Sequence, residues 1–317
     1  MRLSVIIPSY NSSHTLRYTL DILLAQDEDS LQEVIIVDSS DDGKIGELAS
    51  CYHSEKIKFV CSGVRVMPAA GRNIGARKAK GNVLIFLDAD VIPHQNFINN
   101  VAAAYMKGYK AGCGSITLPE FQKENAVAVA QYYLQLSEYI PVGPERVKNF
   151  PVGCVVFCEK NVFVRAGGFP EIRAAEDVLF GHRINKITPL WFIPDICVAH
   201  IFREDVKGFL SNQKLLGKYA AIYRKKESKS IFLAGFLSKI LFPVFYFYKC
   251  CLVANRVMHA GPVHILKLLK ASRYFFLGIW HWTAGFEEGT GKLRVREFPP
   301  PSRVRKGRGM FFFFTNK

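Results

Sequence analysis

Two carboxylates two residues apart, Asp88 and Asp90, stand at the end of the apolar run Val83-Leu84-Ile85-Phe86-Leu87. An unbroken run of this kind reads as a strand buried on both faces of a parallel sheet, and open α/β sheets bind ligands at that C-terminal edge. In extended chain, positions i and i+2 point to one side, so the two acids repel each other unless a cation lies between them. Oxygen ligands suit Mg2+ or Mn2+, ions that usually bring a substrate phosphate with them. An acidic strand end running into a turn is the plainer alternative for Asp-x-Asp alone. A third acid, Asp38, closes a second buried run at 34–37. It is placed to accept hydrogen bonds from a base or ribose, or to serve as a turn or helix-cap acid. Glu176 and Asp177 open a later helical pattern, where the backbone dipole alone favours acids.

The elements that must position these acids alternate along the chain. Residues 3–7 read as a central strand, broken by Pro8-Ser9-Tyr10-Asn11. Ser12 or Ser13 then caps a helix with apolar Leu16, Leu20, Leu23 and Leu24. Strands at 34–37 and 57–60, a helix over about 69–80 and the strand into Asp88 give the rhythm of a parallel sheet with right-handed crossovers. Neither G-x-G-x-x-G after the first strand nor G-x-x-x-x-G-K-[ST] occurs, which argues against a dinucleotide-binding domain and a P-loop NTPase. Helices at 96–106 and 125–138 and a strand at 111–117 follow. Residues 139–151, with three prolines, read as a mobile loop over a pocket.

Four motifs then fall into register: Ser4-Val5-Ile6-Ile7-Pro8-Ser9-Tyr10-Asn11, Glu33-Val34-Ile35-Ile36-Val37-Asp38-Ser39-Ser40-Asp41-Asp42, Gly71-Arg72-Asn73-Ile74-Gly75-Ala76 and Asp88-Ala89-Asp90. In order and spacing, over roughly residues 1–205, the chain resembles the family 2 glycosyltransferases. The resemblance implies an inverting enzyme with the α/β GT-A fold, a Rossmann-like domain around a mostly parallel sheet. It implies that Pro8, Tyr10 and Asp38 line the nucleotide pocket, with Arg72 and Asn73 beside the nucleotide and diphosphate. Asp88 also binds substrate, and Asp90, Asp88 and His200 are the implied ligands of a divalent Mn2+ or Mg2+. His200 ends a strand pattern at 196–200, and a half-buried histidine bonded to backbone is the alternative there. Asp177 is the implied catalytic base, with Glu176 shaping the acceptor site. Such a carboxylate takes the acceptor hydroxyl's proton as the hydroxyl attacks the anomeric carbon, opposite a departing diphosphate whose charge is met by metal and cationic groups.

The formal charge of +15 is unevenly spread: 20 Lys and Arg face 21 Asp and Glu up to Phe202, and 22 face 6 from Arg203 onward. Residues 207–229 show a basic amphipathic helix pattern, and 231–254 and 263–286 are apolar stretches interrupted by Lys239, Lys249, Lys267, Lys270 and Arg273. A bilayer span needs about 20 apolar residues. The internal charges favour helices lying in the interface, with a spanning hairpin or packing on the catalytic domain as alternatives. This basic, apolar half suits an anionic membrane surface better than nucleic acid, at the cytoplasmic face of the cell membrane. Processive relatives carry Gln-x-x-Arg-Trp in this region; Gln213-Lys214-Leu215-Leu216-Gly217 lacks the Arg and the Trp, which favours a single addition. The eight cysteines form no framework. With no signal peptide in evidence, they are expected as reduced thiols in the cytosol. The expected division is a catalytic domain at 1–205, membrane-associated helices at 206–290 and a flexible basic tail at 291–317. The expected function is transfer of a sugar from a nucleoside-diphosphate sugar to a lipid-linked or glycan hydroxyl, in the synthesis of cell-envelope polysaccharide. A non-catalytic nucleotide-sugar-binding or membrane scaffold protein is the alternative.

Overall fold

Leu3–Ser9 (β1), Leu31–Asp38 (β2), Ile57–Cys61 (β3) and Val83–Leu87 (β4) pair in parallel in the computed structural model, which describes residues 1–26, 29–172, 174–227 and 234–291. Every residue of β4 is buried, as its unbroken apolar run requires. Val91–Pro93 (β5), Ala111–Thr117 (β6), Arg146–Val147 (β7), Val155–Glu159 (β8) and Trp191–His200 (β9) complete the sheet. Its order among the described residues is β3-β2-β1-β4-β8-β6-β9-β5, with β7 on β9.

The sheet is more mixed than expected. Strand β8 runs antiparallel between β4 and β6, and β5 and β7 run antiparallel to β9. The antiparallel register sets Leu87 opposite Val155, and the Asp88 N–H donates to the Cys154 carbonyl at 3.4 Å. Residues just before β8 are thereby delivered to the carboxylate edge of β4.

Ser13–Ala25 (α1), Lys44–Cys51 (α2), Pro68–Lys78 (α3), Phe97–Met106 (α4) and Ala126–Leu136 (α5) cover the first half. Asn125 caps α5 by accepting from the Val127 and Ala128 N–H groups. Two glycines seat α3. A Cβ at Gly75 would lie 2.4 Å from Ile6 Cγ2, and one at Gly71 would lie 2.9 Å from Pro8 Cβ. This close approach carries the intervening Arg72 to the end of the sheet. Lys160–Arg165 (α6) and Glu176–Asn185 (α7) pack with α3 on one face, around Phe86, Phe163, Phe169 and Phe180. Residues 139–151, expected as a mobile cover, are strapped down: the Tyr139 hydroxyl donates to the Phe150 carbonyl at 3.0 Å, β7 pairs with β9, and Arg146 lies 4.2 Å over the Phe192 ring.

Val206–Glu227 (α8), Ala234–Ala260 (α9), Pro262–Lys270 (α10) and Ser272–Gly291 (α11) dock on α5. Phe209, Val253, Phe275 and Ile279 are buried in the same core as the sheet. Arg256 on α9 donates to Glu138 at 2.7 Å, and His264 on α10 lies 3.0 Å from the Tyr133 hydroxyl. These helices thus pack on the catalytic core, which was one of the three arrangements open in the sequence. Among the described residues no helix is long and apolar enough to cross a membrane. Polar positions such as Lys249, Asn255 and Arg256 interrupt α9, which also contains Pro243. Several apolar side chains nevertheless stay exposed: Phe247 and Tyr248 on α9, Val263, Leu266 and Leu269 on α10, and Trp280 on α11. The proposed flexible tail, from 292 onward with Phe311 to Phe314, lies outside the described residues.

Helices α8 and α11 touch backbone to backbone. A Cβ at Gly217 would lie 1.9 Å from the Trp282 carbonyl oxygen, and one at Gly285 would lie 1.9 Å from that of Lys214. Gly285→Ala gains helix propensity of about 1 kcal/mol. The backbone shift it forces costs roughly 1–3 kcal/mol. The expected outcome is a lower melting temperature in calorimetry; an unchanged or higher one would contradict this packing.

Candidate active site

Arg72 leaves α3 beneath the end of β4 with only 2% of its surface exposed. Its Nη2 donates to Asp88 Oδ1 at 2.5 Å and its Nη1 to Glu176 Oε1 at 3.1 Å. The guanidinium carbon lies 5.1 Å from the centre of the Phe169 ring. Burial opposes its charge, but Asp88, Glu176 and the more distant Asp177 outweigh burial and raise its pKa.

The two acids expected to share a cation have different protein partners here, though both line one cavity. The chain turns after Leu87, and Asp88 is engaged by Arg72. Asp90 instead faces His200, with 3.7 Å between Oδ1 and Nε2, because β5 pairs Val91 with His200 on β9. Burial raises the pKa of Asp90, His200 offsets part of the rise, and Asp88 adds to it. His200 Nδ1 is buried without a hydrogen-bond partner. Among the described residues no group of three or more His, Cys, Asp and Glu side chains forms a metal cage.

A cavity of about 650 Å3 is lined by Pro8, Tyr10, Arg72, Asp88, Asp90, Glu176 and His200, and also by His14, Gln131 and Arg203. Tyr10 is half-exposed, with the Arg65 guanidinium 4.3 Å over its ring. Seven residues named from the sequence thus meet around one space. Asp38 and Asn73 do not line it. Asp38 is buried, and its Oδ1 accepts from the Ser40 N–H at 3.2 Å and hydroxyl at 2.7 Å, which is the turn-acid alternative. Asn73 spends its amide on the Phe169 backbone, donating to the carbonyl at 2.8 Å and accepting from the N–H at 2.9 Å. It ties the Gly167-Gly168 turn to α3.

Asp177 lines an adjacent cavity of about 300 Å3, between the core and the C-terminal helices. Ala175, at φ +68, turns the chain into α7 through the left-handed region, unusual for a residue with a Cβ. The next two side chains divide: Glu176 lines the larger cavity and Asp177 the smaller. Asp177 Oδ2 accepts from the Gly153 N–H at 3.2 Å and Oδ1 from the Val178 N–H at 2.8 Å. Burial first, then the Glu176 charge, push Asp177 up to about 7, against the pull of these N–H groups and Arg72. A Cβ at Gly153 would lie 3.4 Å from Asp177 Oδ2 and 3.6 Å from Arg72 Nη2, so one glycine touches both groups. Gln131, Lys249 and Trp282 reach these cavities from helical positions that read as core or membrane face in the sequence, and no spacing signal marks them. Gln213, the glutamine of the incomplete Gln-x-x-Arg-Trp pattern, also lines the smaller cavity.

A sequence profile described as "Glycosyl transferase family 2" matches residues 4–166, just over half of the chain. The chain belongs to glycosyl transferase family 2. It is 26% identical over 288 residues to "Amylovoran biosynthesis glycosyltransferase AmsB" of Erwinia amylovora, which covers 86% of this chain and 90% of that one. To "Probable glycosyltransferase YdaM" of Bacillus subtilis it is 29% identical over 273 residues, 78% of this chain but only 61% of that one. This family 2 transferase is therefore an enzyme. Among solved structures, the mannosyltransferase PcManGT from Pyrobaculum calidifontis, in complex with GDP-Man and Mn2+, superposes with a TM-score of 0.56 at 20% identity, covering 89% of this chain and 85% of that one. GalNAc-T7 with UDP, GalNAc and Mn2+ gives 0.53 at 20% identity, covering 64% of this chain and 44% of that one. These likenesses show the GT-A fold with its mixed sheet.

Arg72→Met should leave Asp88 and Glu176 without their shared counter-charge. Breaking a buried pair costs roughly 3–5 kcal/mol. The low end is expected here, because the acids keep 30% and 16% of their side-chain surface exposed. Urea denaturation of the variant measures this; a loss near zero would show that the triad does not hold the site.

Proposed function

We propose that the enzyme moves one sugar per turnover from a nucleoside-diphosphate sugar to a hydroxyl of a lipid-linked or glycan acceptor, inverting the anomeric centre, with Asp177 as general base. The observation that carries this reading is the divided pair at the start of α7. Donor and acceptor need separate spaces that meet at the base, and Glu176 and Asp177 line two neighbouring cavities. A carboxylate near 7 is matched to accepting a proton at neutral pH.

In this reading the larger cavity holds the donor. Pro8 and Tyr10 flank the nucleotide, Asp38 and Asn73 support that pocket from behind, and Arg72, Asp88 and Arg203 lie toward the diphosphate. PcManGT was solved with GDP-Man and GalNAc-T7 with UDP, which supports a nucleotide-linked donor. Both were solved with Mn2+. The residues here fit a substrate-borne ion: Asp90 and His200 face each other across 3.7 Å, and Mg2+-like ions commonly take one or two protein ligands plus phosphate oxygens. A bound divalent ion supplies charge that draws off the departing diphosphate. The acceptor oxygen forms its bond to the anomeric carbon as the bond to the diphosphate oxygen breaks. The electron pair leaves with the nucleoside diphosphate, and the acceptor's proton passes to Asp177. Gly153 and Val178 hold the receiving carboxylate in place.

Asp177→Asn is expected to lower transfer by about 10²–10⁴-fold. The thermal shift given by UDP or GDP with Mn2+ should be unchanged. The wild-type kcat/KM should climb about tenfold per pH unit below 7 and level off above it, because the base works only when ionised and its pKa lies near 7. Full activity in the Asn variant, or a flat profile between pH 5 and 8, would remove Asp177 from this role.

The exposed apolar side chains on α9–α11, with Lys267, Lys270 and Arg273 nearby, support seating on an anionic membrane at the cytoplasmic face. There the enzyme would serve cell-envelope glycan synthesis, the kind of role that the name of AmsB states for that relative. Co-sedimentation with phosphatidylglycerol-containing vesicles should be strong for the wild type and lost in Leu266→Asp/Leu269→Asp. Equal sedimentation of the two would refute membrane seating through α10.

A further inference from the structure

The cavity beside Asp177 has a polar wall with no internal partner. Gln213 on α8 is fully buried, and neither its Oε1 nor its Nε2 has a hydrogen-bond partner. Gln135 on α5 lines the same space, and its Nε2 is likewise buried and unpartnered. Nearly all buried polar atoms in folded proteins are hydrogen-bonded. One amide unpartnered at both atoms and a second unpartnered at its Nε2, on one cavity with the Asp177 carboxylate, therefore describe a surface shaped for a hydrogen-bonding guest. An amide carries both donors and acceptors, which suits neighbouring hydroxyl groups that do the same.

The remaining walls are largely apolar, with Leu134, Val152 and Leu216 among them. Lys249 and Trp282 close the space from α9 and α11. Immediately beside these two in sequence, on the outer surface of the same helices, stand exposed Phe247, Tyr248 and Trp280. A guest seated at Gln213 thus has polar contacts inside and an apolar surface at hand outside.

We infer that this cavity is the acceptor site, that its ligand is a sugar bearing an apolar aglycone, and that Gln213 and Gln135 bind the sugar's hydroxyls. The inference rests on the reading of Asp177 as the base that meets the acceptor. It goes further in assigning the C-terminal helices a direct part in the site: three of them, α8, α9 and α11, supply its outer wall.

The test is a calorimetric titration of the full chain with n-octyl glycosides of glucose, galactose, mannose and N-acetylglucosamine, below their micelle concentrations, against the matching methyl glycosides. Excess UDP or GDP is present and no sugar donor. At least one octyl glycoside should bind saturably, and its methyl counterpart more weakly. Gln213→Leu should weaken that binding by about tenfold, the effect of losing two hydrogen bonds. Leu216→Trp, which fills the cavity, should abolish it. A retained thermal shift with UDP or GDP shows that each variant is folded. No saturable binding to the wild type, or wild-type binding in both variants, would overturn the site. Equal binding of methyl and octyl glycosides would overturn the apolar aglycone. Because no turnover is involved, a failure here is distinct from failure of the Asp177 mechanism, which the Asn variant and the pH profile test separately.

Discussion

One buried guanidinium holds this site together. Arg72 comes from α3, Asp88 from the end of β4 and Glu176 from the start of α7, and nothing but the Arg72 charge lets those two acids approach each other with little water. The placement of Arg72 depends in turn on Gly71 and Gly75, since only residues without a Cβ let α3 lie so close to Ile6 and Pro8. A Cβ at either position would lift the helix and draw the cation away from both carboxylates. The catalytic edge is thus set by packing several residues away from it.

The same cation organises the space around it. Asp177 is not among its ion-pair partners: burial first, then the Glu176 charge, raise Asp177 to about 7 against the pull of Arg72. Strand β8 contributes by its direction. Running against β4, it places Gly153 beside both Arg72 and Asp177, where the Gly153 N–H orients the carboxylate. A parallel strand in that position would have presented its far end instead.

Much of this was legible in the chain because buried strands ending in acids have few other uses. The strands into Asp38 and Asp88, the helix with Gly71 and Gly75 and the Glu176-Asp177 pair all lie where their patterns place them. Partner choice was not legible. The two-residue spacing of Asp88 and Asp90 put both on one cavity, but it did not say that Arg72 would take the first and His200 face the second. Arg72 and Asn73 are adjacent, yet one lines the cavity and the other clasps the Phe169 backbone, because consecutive helical residues face about 100° apart. The C-terminal helices left their packing open for a related reason. Apolar runs broken by lysines look alike whether they cover lipid or protein, and the glycines that let α8 and α11 touch carry meaning only once the two helices are seen to cross.

Charge balance gives the strongest reason to expect an ion in the working site. Asp88, Asp90 and Glu176 line the larger cavity and Asp177 the smaller, against the buried Arg72, with His200 facing Asp90. A nucleoside diphosphate adds further negative charge to a space where screening by water is poor. Arg203 also lines the larger cavity, but it is exposed, so water screens its charge. Asp90 lines the larger cavity, and His200 faces it at 3.7 Å through Nε2 with its Nδ1 buried and unpartnered. Both Nη groups of Arg72 already hold the protein's own carboxylates, while its Nε is buried without a partner, and this is the charge-balance argument for an ion that comes with the donor.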